Sequence, residues 1–231
     1  MKKITKLASI ALLLTSVTST AFADNWNIGA SASYGNIDGT ASDTQVGPAG
    51  TVSQTRGANS GDANFPFASI FIEYAKTMDK DLDIIIGLDY VPFKAEIDSK
   101  SFADTSLEAG STTSGTRTAK IELENYATLY LQPTYKIGGG TAVFGKVGYI
   151  HGDVKISGSN TATGSTINAT DTLNGYVVGL GVQHNINKNV FVRLEGSYTD
   201  HDSVTATDSK GTNFKADSEL IAGKLSIGYS F

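Results

Sequence analysis

The last twelve residues, LIAGKLSIGYSF (220–231), constrain the fold of this chain more than any other stretch. Every second residue counted back from Phe231 is apolar except for Gly223, and the residues between them are small or polar except for Leu220. Successive side chains of a β-strand point to opposite faces, so this two-residue period predicts a strand. The two faces of that strand must meet different surroundings, one apolar and one polar.

The same alternation of apolar and polar residues occurs in seven further segments. They are residues 25–35, 67–75, 82–90, 121–135, 143–149, 176–184 and 190–198. Asn125 breaks the apolar row of its segment. Pro92 should end ladder pairing or mark a bulge, because proline has no N–H to donate. Together with the C-terminal segment, the count is eight strands.

The connections between these strands alternate in length. Short turns are predicted at 77–81, 136–141 and 185–189, and long polar loops at 36–64, 98–118, 157–172 and 201–217. Short turns on one side and long loops on the other are typical of outer-membrane barrels. The mean hydropathy of −0.10 fits, because polar residues interleave with lipid-facing ones. The sequence therefore predicts an all-β, eight-stranded, antiparallel up-and-down transmembrane β-barrel.

The N-terminus has the three parts of a secretory signal peptide. Three lysines precede a short apolar run from Leu7 to Leu14, and Ala21-Phe22-Ala23 has the small-x-small pattern that a signal peptidase cleaves after. We expect residues 1–23 to be removed and residues 24–231 to form the barrel domain. The chain has no cysteine, so burial and hydrogen bonding alone must stabilise the exported protein.

Aromatic residues gather at both ends of the predicted outer face. Tyr and Trp are stable where apolar and wet regions meet, and two aromatic girdles flank the apolar band of a transmembrane barrel. At the short-turn end the predicted girdle consists of Trp26, Tyr74, Tyr135, Tyr229 and Phe231. At the long-loop end it consists of Tyr34, Tyr90, Tyr149, Tyr176 and Tyr198.

Charged residues occur on the predicted inner face. An eight-stranded barrel is just filled by its side chains, so charges inside must be paired or hydrogen-bonded. They form either a structural network or the lining of a narrow pore, which would favour cations because acidic residues outnumber basic ones. The predicted interior charges are Glu73, Asp83, Asp89, Glu122, Glu124, Lys146, Arg193, Glu195 and Lys224.

Other kinds of chemistry have weak support in the sequence. The net charge of −5 gives no basic surface for nucleic acid, and no two of the three histidines have metal-ligand spacing. We expect no cofactor, no metal and no enzymatic activity. His201 and Ser203 could serve a lipid hydrolase, but a turn at the start of a polar loop explains them better.

The stretch GLGVQHNINKNVFVRLEGSYTDH (179–201) resembles the outer-membrane β-barrel domain family, which includes OmpA-like barrels, opacity-type antigens and small porin-family proteins. The resemblance implies a Gram-negative outer-membrane barrel that is folded by the barrel assembly machinery. It implies that Phe231 and Tyr229 belong to the assembly signal, and that Arg193 and Glu195 are an inward charged pair. Members are structural proteins, adhesins or proposed small pores.

The expected function is a structural or surface-exposed one. A monomeric barrel would sit among lipopolysaccharide and phospholipid with its termini in the periplasm. Its extracellular loops, above all 36–64 and 98–118, would meet a host, phage or cell-surface ligand. A narrow channel for ions or small solutes is the alternative, and a lipid-modifying enzyme is the remote one.

Overall fold

The computed structural model describes residues 24–46, 52–105, 114–162, 164–209 and 211–231. The predicted signal peptide lies outside the described residues. Nine strands follow one another: β1 Asn25–Val46, β2 Val52–Asp79, β3 Leu82–Tyr90, β4 Ala95–Thr105, β5 Ser114–Gly138, β6 Thr141–Asn160, β7 Ser165–Asn185, β8 Val190–Thr207 and β9 Asn213–Ser230. Within these ranges no helix has the length and apolar character needed to cross a membrane.

The strands form one antiparallel ring. Neighbours along the chain pair with each other from β1 to β3 and from β4 to β9, and β9 pairs with β1. β3 also pairs with β5, with Leu88 opposite Leu129, and this pairing closes the sheet on itself. The predicted all-β, antiparallel up-and-down barrel is confirmed.

The strand count is nine rather than eight because one strand is interrupted at Pro92. β3 ends at Tyr90 and β4 begins at Ala95, and both pair with β5, opposite Ala127 and Leu123 respectively. They therefore lie end to end and fill one of eight positions in the ring. The interruption follows from the chemistry of proline, which cannot donate a ladder hydrogen bond.

The short turns lie where the sequence predicts them, after Asp79, Gly138 and Asn185. The second turn has positive φ angles at Gly138 (98°), Gly139 (62°) and Gly140 (75°), which glycine adopts without steric cost. These three turns define one end of the barrel, called here the near end.

The predicted long loops are mostly β-strand, so their predicted extent is wrong. The hairpin of β1 and β2 continues to the pair Val46 and Val52, with register shifts after Ala41 and after Gln45, and the other three long connections are also largely paired. Their Ser, Thr, Gly and Asn content is typical of loops, but Ile37 and Phe65 turn inward and contribute to a buried core. Cross-strand pairing and packing therefore outweigh the local composition.

The part of the barrel next to the near end is called here the near half, and the rest is called the far half. The wall of the far half is split into two sheets. Pairing of β2 with β3 ends at Ile70 and Tyr90, and pairing of β7 with β8 ends at Gly175 and His201. Beyond these points the described residues form sheet A, with order β2–β1–β9–β8, and sheet B, with order β4–β5–β6–β7. In the near half the wall is continuous around the ring.

Apolar side chains fill the space between sheets A and B and continue to the level where the wall becomes continuous. Fully burying one large aliphatic or aromatic side chain stabilises a fold by about 1.5–3 kcal/mol, so this cluster holds the sheets together. The far half is thus packed like a sandwich. This apolar cluster consists of Phe65, Val91, Ala95, Leu123, Tyr126, Ile150, Val154, Leu173, Val177, Val204, Leu220 and Ala222.

Candidate functional site

The near half of the interior is organised around Arg193 on β8. Its guanidinium donates two parallel hydrogen bonds to Glu73 on β2, at 2.6 Å and 3.1 Å. Glu73 also accepts from the Tyr130 hydroxyl at 2.5 Å and from the Asn27 amide at 3.1 Å. Arg193 and Glu73 are 3% and 1% exposed. Such a bidentate, fully hydrogen-bonded pair is the arrangement in which a buried ion pair is tolerated.

The Arg193 guanidinium is enclosed by three phenylalanine rings. Its central carbon lies 4.9 Å from the ring centroid of Phe191, 5.3 Å from that of Phe144 and 5.6 Å from that of Phe71. Contacts of this kind favour a cation electrostatically, and more so when it is desolvated. The enclosure leaves no side of the guanidinium open to bulk water.

Each of these rings lies against a glycine on a neighbouring strand. A Cβ atom at Gly29, Gly181 or Gly228 would stand 2.2–2.3 Å from a ring atom of Phe71, Phe144 or Phe191. The glycines therefore make the space that the rings fill. Which ring each glycine accommodates depends on which residues face each other across the strands, and the sequence alone does not give this.

Two further ion pairs lie inside the ring, on the side of Arg193 that faces the far half. Lys146 on β6 contacts Glu195 on β8 at 2.5 Å, and its ammonium lies 4.4 Å from the ring centroid of Tyr130. Lys224 on β9 contacts Asp89 on β3 at 2.9 Å. Both pairs line a cavity of about 40 Å³. Such a cavity has room for a few water molecules between charged partners.

Seven of the nine predicted interior charges lie inside the ring, in two groups. Glu73, Asp89, Lys146, Arg193 and Glu195 are buried inside the ring. Lys224 is also inside, with 13% of its side chain exposed. Asp83 lies at the near end, where it accepts hydrogen bonds from Lys136 and Thr77, both at 2.8 Å.

The prediction that Glu122 and Glu124 face the interior is wrong. A bulge on β5 places one extra residue between Glu124 and Ala127, and Asn125 there has a φ of 52°. A bulge reverses the faces of the residues before it, so Leu123 turns inward. The two glutamates then lie outside and pair with the exposed Lys120 and Lys94, respectively.

All ten residues of the predicted girdles are exposed or half-exposed on the ring. Neighbouring rings contact each other, with centroids 5.2 Å apart for Trp26 and Tyr74 and 5.5 Å apart for Tyr149 and Tyr176. The described members that are well exposed are Tyr34, Tyr135, Tyr149, Tyr176, Tyr198, Tyr229 and Phe231, and those that are half-exposed are Trp26, Tyr74 and Tyr90.

His201 and Ser203 do not come together into a catalytic pair. His201 is buried and contacts the hydroxyl groups of Tyr126 and Ser218. Ser203 is exposed and donates a hydrogen bond to Asp217. Across the described ranges no group of three or more His, Asp or Glu side chains has a geometry that could hold a metal ion.

The sequence matches the family model for the outer membrane protein β-barrel domain over residues 9–219. The chain therefore belongs to the outer-membrane β-barrel domain family, which places it in the outer membrane. This membership confirms the resemblance found in residues 179–201. A comparison with curated protein sequences finds no match.

Several solved outer-membrane barrels are similar in structure. OprG from Pseudomonas aeruginosa is 16% identical with a TM-score of 0.52, covering 91% of this chain and 97% of its own. The outer membrane protease OmpT from Escherichia coli is 13% identical with a TM-score of 0.49, covering 94% and 100%. Ail, the attachment invasion locus protein of Yersinia pestis, is 14% identical with a TM-score of 0.44, covering 89% and 98%. Similarity at these identities shows the fold alone.

Proposed function

We propose that this protein is a closed outer-membrane barrel with a structural or surface-exposed role of the adhesin or surface-antigen type. The observation that carries the proposal is the filled interior. In the near half the enclosed Arg193 and two ion pairs occupy the ring, and in the far half the apolar cluster does. What remains for interaction with the outside is the exposed surface of sheets A and B.

A narrow channel for ions or small solutes is the second candidate, because the interior holds three ion pairs and a small cavity. A hydrated ion moving through the ring would have to separate Arg193 from Glu73. It would then lose its hydration among the buried side chains of the apolar cluster. A channel function would therefore require a second conformation in which the ion pair of the near half and the apolar cluster of the far half are both rearranged.

An enzymatic role is the least supported of the three. The side-chain pair singled out in the sequence for hydrolysis, His201 and Ser203, is divided between the inside and the outside of the far half. We propose that the protein is not an enzyme and binds no cofactor.

We further propose an orientation with the near end and both termini in the periplasm and the far half outside the cell. The signal peptide predicted at 1–23 supports export. The exposed apolar band between the two aromatic girdles supports contact with lipopolysaccharide and phospholipid. In this orientation Tyr229 and Phe231 stand at the periplasmic rim, where the assembly machinery would recognise them, and the barrel is a monomer.

The far half is the proposed contact surface for a host, a phage or a neighbouring cell. Its strands extend well past the outer girdle, so it projects from the membrane as a folded unit rather than as four separate loops. A rigid projecting surface favours specific binding, because less conformational freedom is lost when a partner docks.

Cysteine labelling tests this surface presentation, since the natural chain has no cysteine. Asp62→Cys lies on the exposed face of sheet A, and Lys80→Cys lies in a near-end turn. With a membrane-impermeant maleimide on intact cells, we expect Asp62→Cys to react and Lys80→Cys to react only after lysis. Labelling of Lys80→Cys on intact cells would overturn the orientation, and protection of Asp62→Cys would overturn the surface role.

A further inference from the structure

The imidazole of His201 is buried at the point where the wall of the barrel divides. His201 and Gly175 form the last pair between β7 and β8 before these strands separate into sheets A and B. Its side chain is 6% exposed, whereas the side chains of His151 and His184 are exposed. His201 is therefore the histidine whose protonation state bears on the packing of the far half.

The imidazole connects the two sheets. Nε2 lies 3.3 Å from the hydroxyl of Tyr126, which belongs to β5 in sheet B. Nδ1 lies 3.3 Å from the hydroxyl of Ser218, which belongs to β9 in sheet A. The Tyr126 ring also meets the imidazole edge to face, with centroids 6.2 Å apart. One side chain thus contacts both layers.

The groups packed around the imidazole give it no buried counter-charge. Tyr126 from β5 and Ser218 from β9 are neutral, although a hydrogen bond with the Ser218 backbone favours the protonated imidazole, and the neighbouring β7 places Gly175 against the ring. The carboxylates that act on it are Asp200 and Asp202 of its own strand, both on the exposed side. The Asp89–Lys224 pair lies beyond Tyr126, lining the internal cavity, and is already neutralised.

We propose that His201 is a pH-sensitive latch: neutral, it holds sheets A and B together, and protonated, it loosens the far half. A charge buried among apolar groups without a partner destabilises the packing around it. The loosening is confined to the far half, because the near half has no histidine inside the ring among its described residues.

The sign of the pH dependence follows from burial. His201 lies one residue beyond the Tyr176–Asp200 pair, at the outer edge of the outer girdle, and burial lowers its pKa from the ordinary value of 6.5. The open form of the far half, where the imidazole is solvated, therefore binds the proton more readily than the closed form. Closure is fully stabilised above about pH 6.5 and loses stability as the pH falls below it.

Amide hydrogen exchange of the full-length barrel in lipid nanodiscs, followed by mass spectrometry, tests the latch. After correction for the intrinsic pH dependence of exchange, protection of residues 165–174 and 201–207 should fall about tenfold or more between pH 7.5 and pH 5. Residues 176–184, in the continuous part of the wall, serve as the internal reference and should keep their protection.

His201→Gln is the decisive variant, with His151→Gln and His184→Gln as controls at exposed histidines. His201→Gln should abolish the pH dependence, and both controls should retain it. A wild-type far half that is insensitive to pH, or a His201→Gln far half that remains as sensitive as the wild type, would overturn the proposal.

If His201→Gln fails to fold, the titration of the histidines in the wild-type protein decides by NMR. The His201 signal of the closed barrel should titrate below pH 6.5, and protection should fall over the pH range between 6.5 and that titration midpoint. A His201 signal that titrates at or above pH 6.5, or protection that falls only below the His201 midpoint, would overturn the proposal.

Discussion

The two halves of the barrel have opposite polarity. In the near half, β9 turns Lys224 inward to an ion pair and Leu225 outward, where it is 60% exposed. Four residues away in the far half, the same strand turns Leu220 inward to the apolar cluster and Glu219 outward. The alternation itself continues unchanged, but the polarity of the two faces is exchanged.

This inversion shows that the surroundings, and not the strand, decide which residues face inward. A near half surrounded by lipid needs apolar side chains outside, so its polar groups must satisfy one another inside the ring. A far half surrounded by water needs a polar outside, and it gains stability by burying apolar area between sheets A and B. The inversion lies close to Tyr34 and Tyr198, the predicted level of the outer girdle.

The largest effect should come from breaking the central ion pair of the near half. Arg193→Met leaves Glu73 buried without its partner and should lower the free energy of unfolding by about 3–5 kcal/mol. The double variant Arg193→Met with Glu73→Gln should recover most of this loss. Urea unfolding in lipid vesicles, followed by the gel shift of the folded barrel, measures both. A loss below 1 kcal/mol in the single variant would show that the pair does not organise the near half.

In the far half, a cavity in the apolar cluster should have a comparable but local effect. Ile150→Ala removes a side chain that is 1% exposed and should destabilise sheet packing by about 2–5 kcal/mol. Hydrogen exchange should rise in residues 165–174 and remain low in 176–184. Val147→Ala, on the outer face of the same strand, is the control. An equal increase of hydrogen exchange in both ranges would contradict the independence of the two halves.

A smaller effect should follow from filling the space beside a phenylalanine ring. Gly181→Ala puts a methyl group against Phe144 and the Leu194 carbonyl, and should cost about 1–3 kcal/mol. Gly196→Ala on the neighbouring β8 is the matched control, because nothing lies within 4 Å of its added Cβ. Equal unfolding midpoints for the two variants would show that the glycines are not required by the rings.

The smallest effect is expected for the ion pairs on the outer surface. Lys120→Gln removes contacts of 3.1 Å to Glu96 and 3.0 Å to Glu122, but the lysine and Glu96 are exposed and Glu122 is partly exposed. We expect no measurable change in the unfolding midpoint, in contrast to Arg193→Met. A clear loss of stability would mean that Glu122 acts as an interior charge after all.

Much of this architecture follows from the two-residue period alone. The near-half strands, the short turns and the inward position of Arg193 need only alternation and turn chemistry, which act locally. The faces of Glu122 and Glu124 depend on the bulge at Asn125, and the break in the apolar row at that residue was the available signal. The extent of the far half was not predictable, because Ser- and Thr-rich strands there resemble loops until their cross-strand partners are known.

Single-channel recording in planar bilayers tests the closed barrel most directly. Refolded residues 24–231 should give no discrete current steps under conditions in which a known porin conducts. Lys224→Ala and Glu195→Ala, each of which removes one partner of an ion pair beside the internal cavity, should be recorded alongside. Discrete, cation-selective steps in the wild type that either substitution alters would contradict the closed barrel and identify a small channel instead.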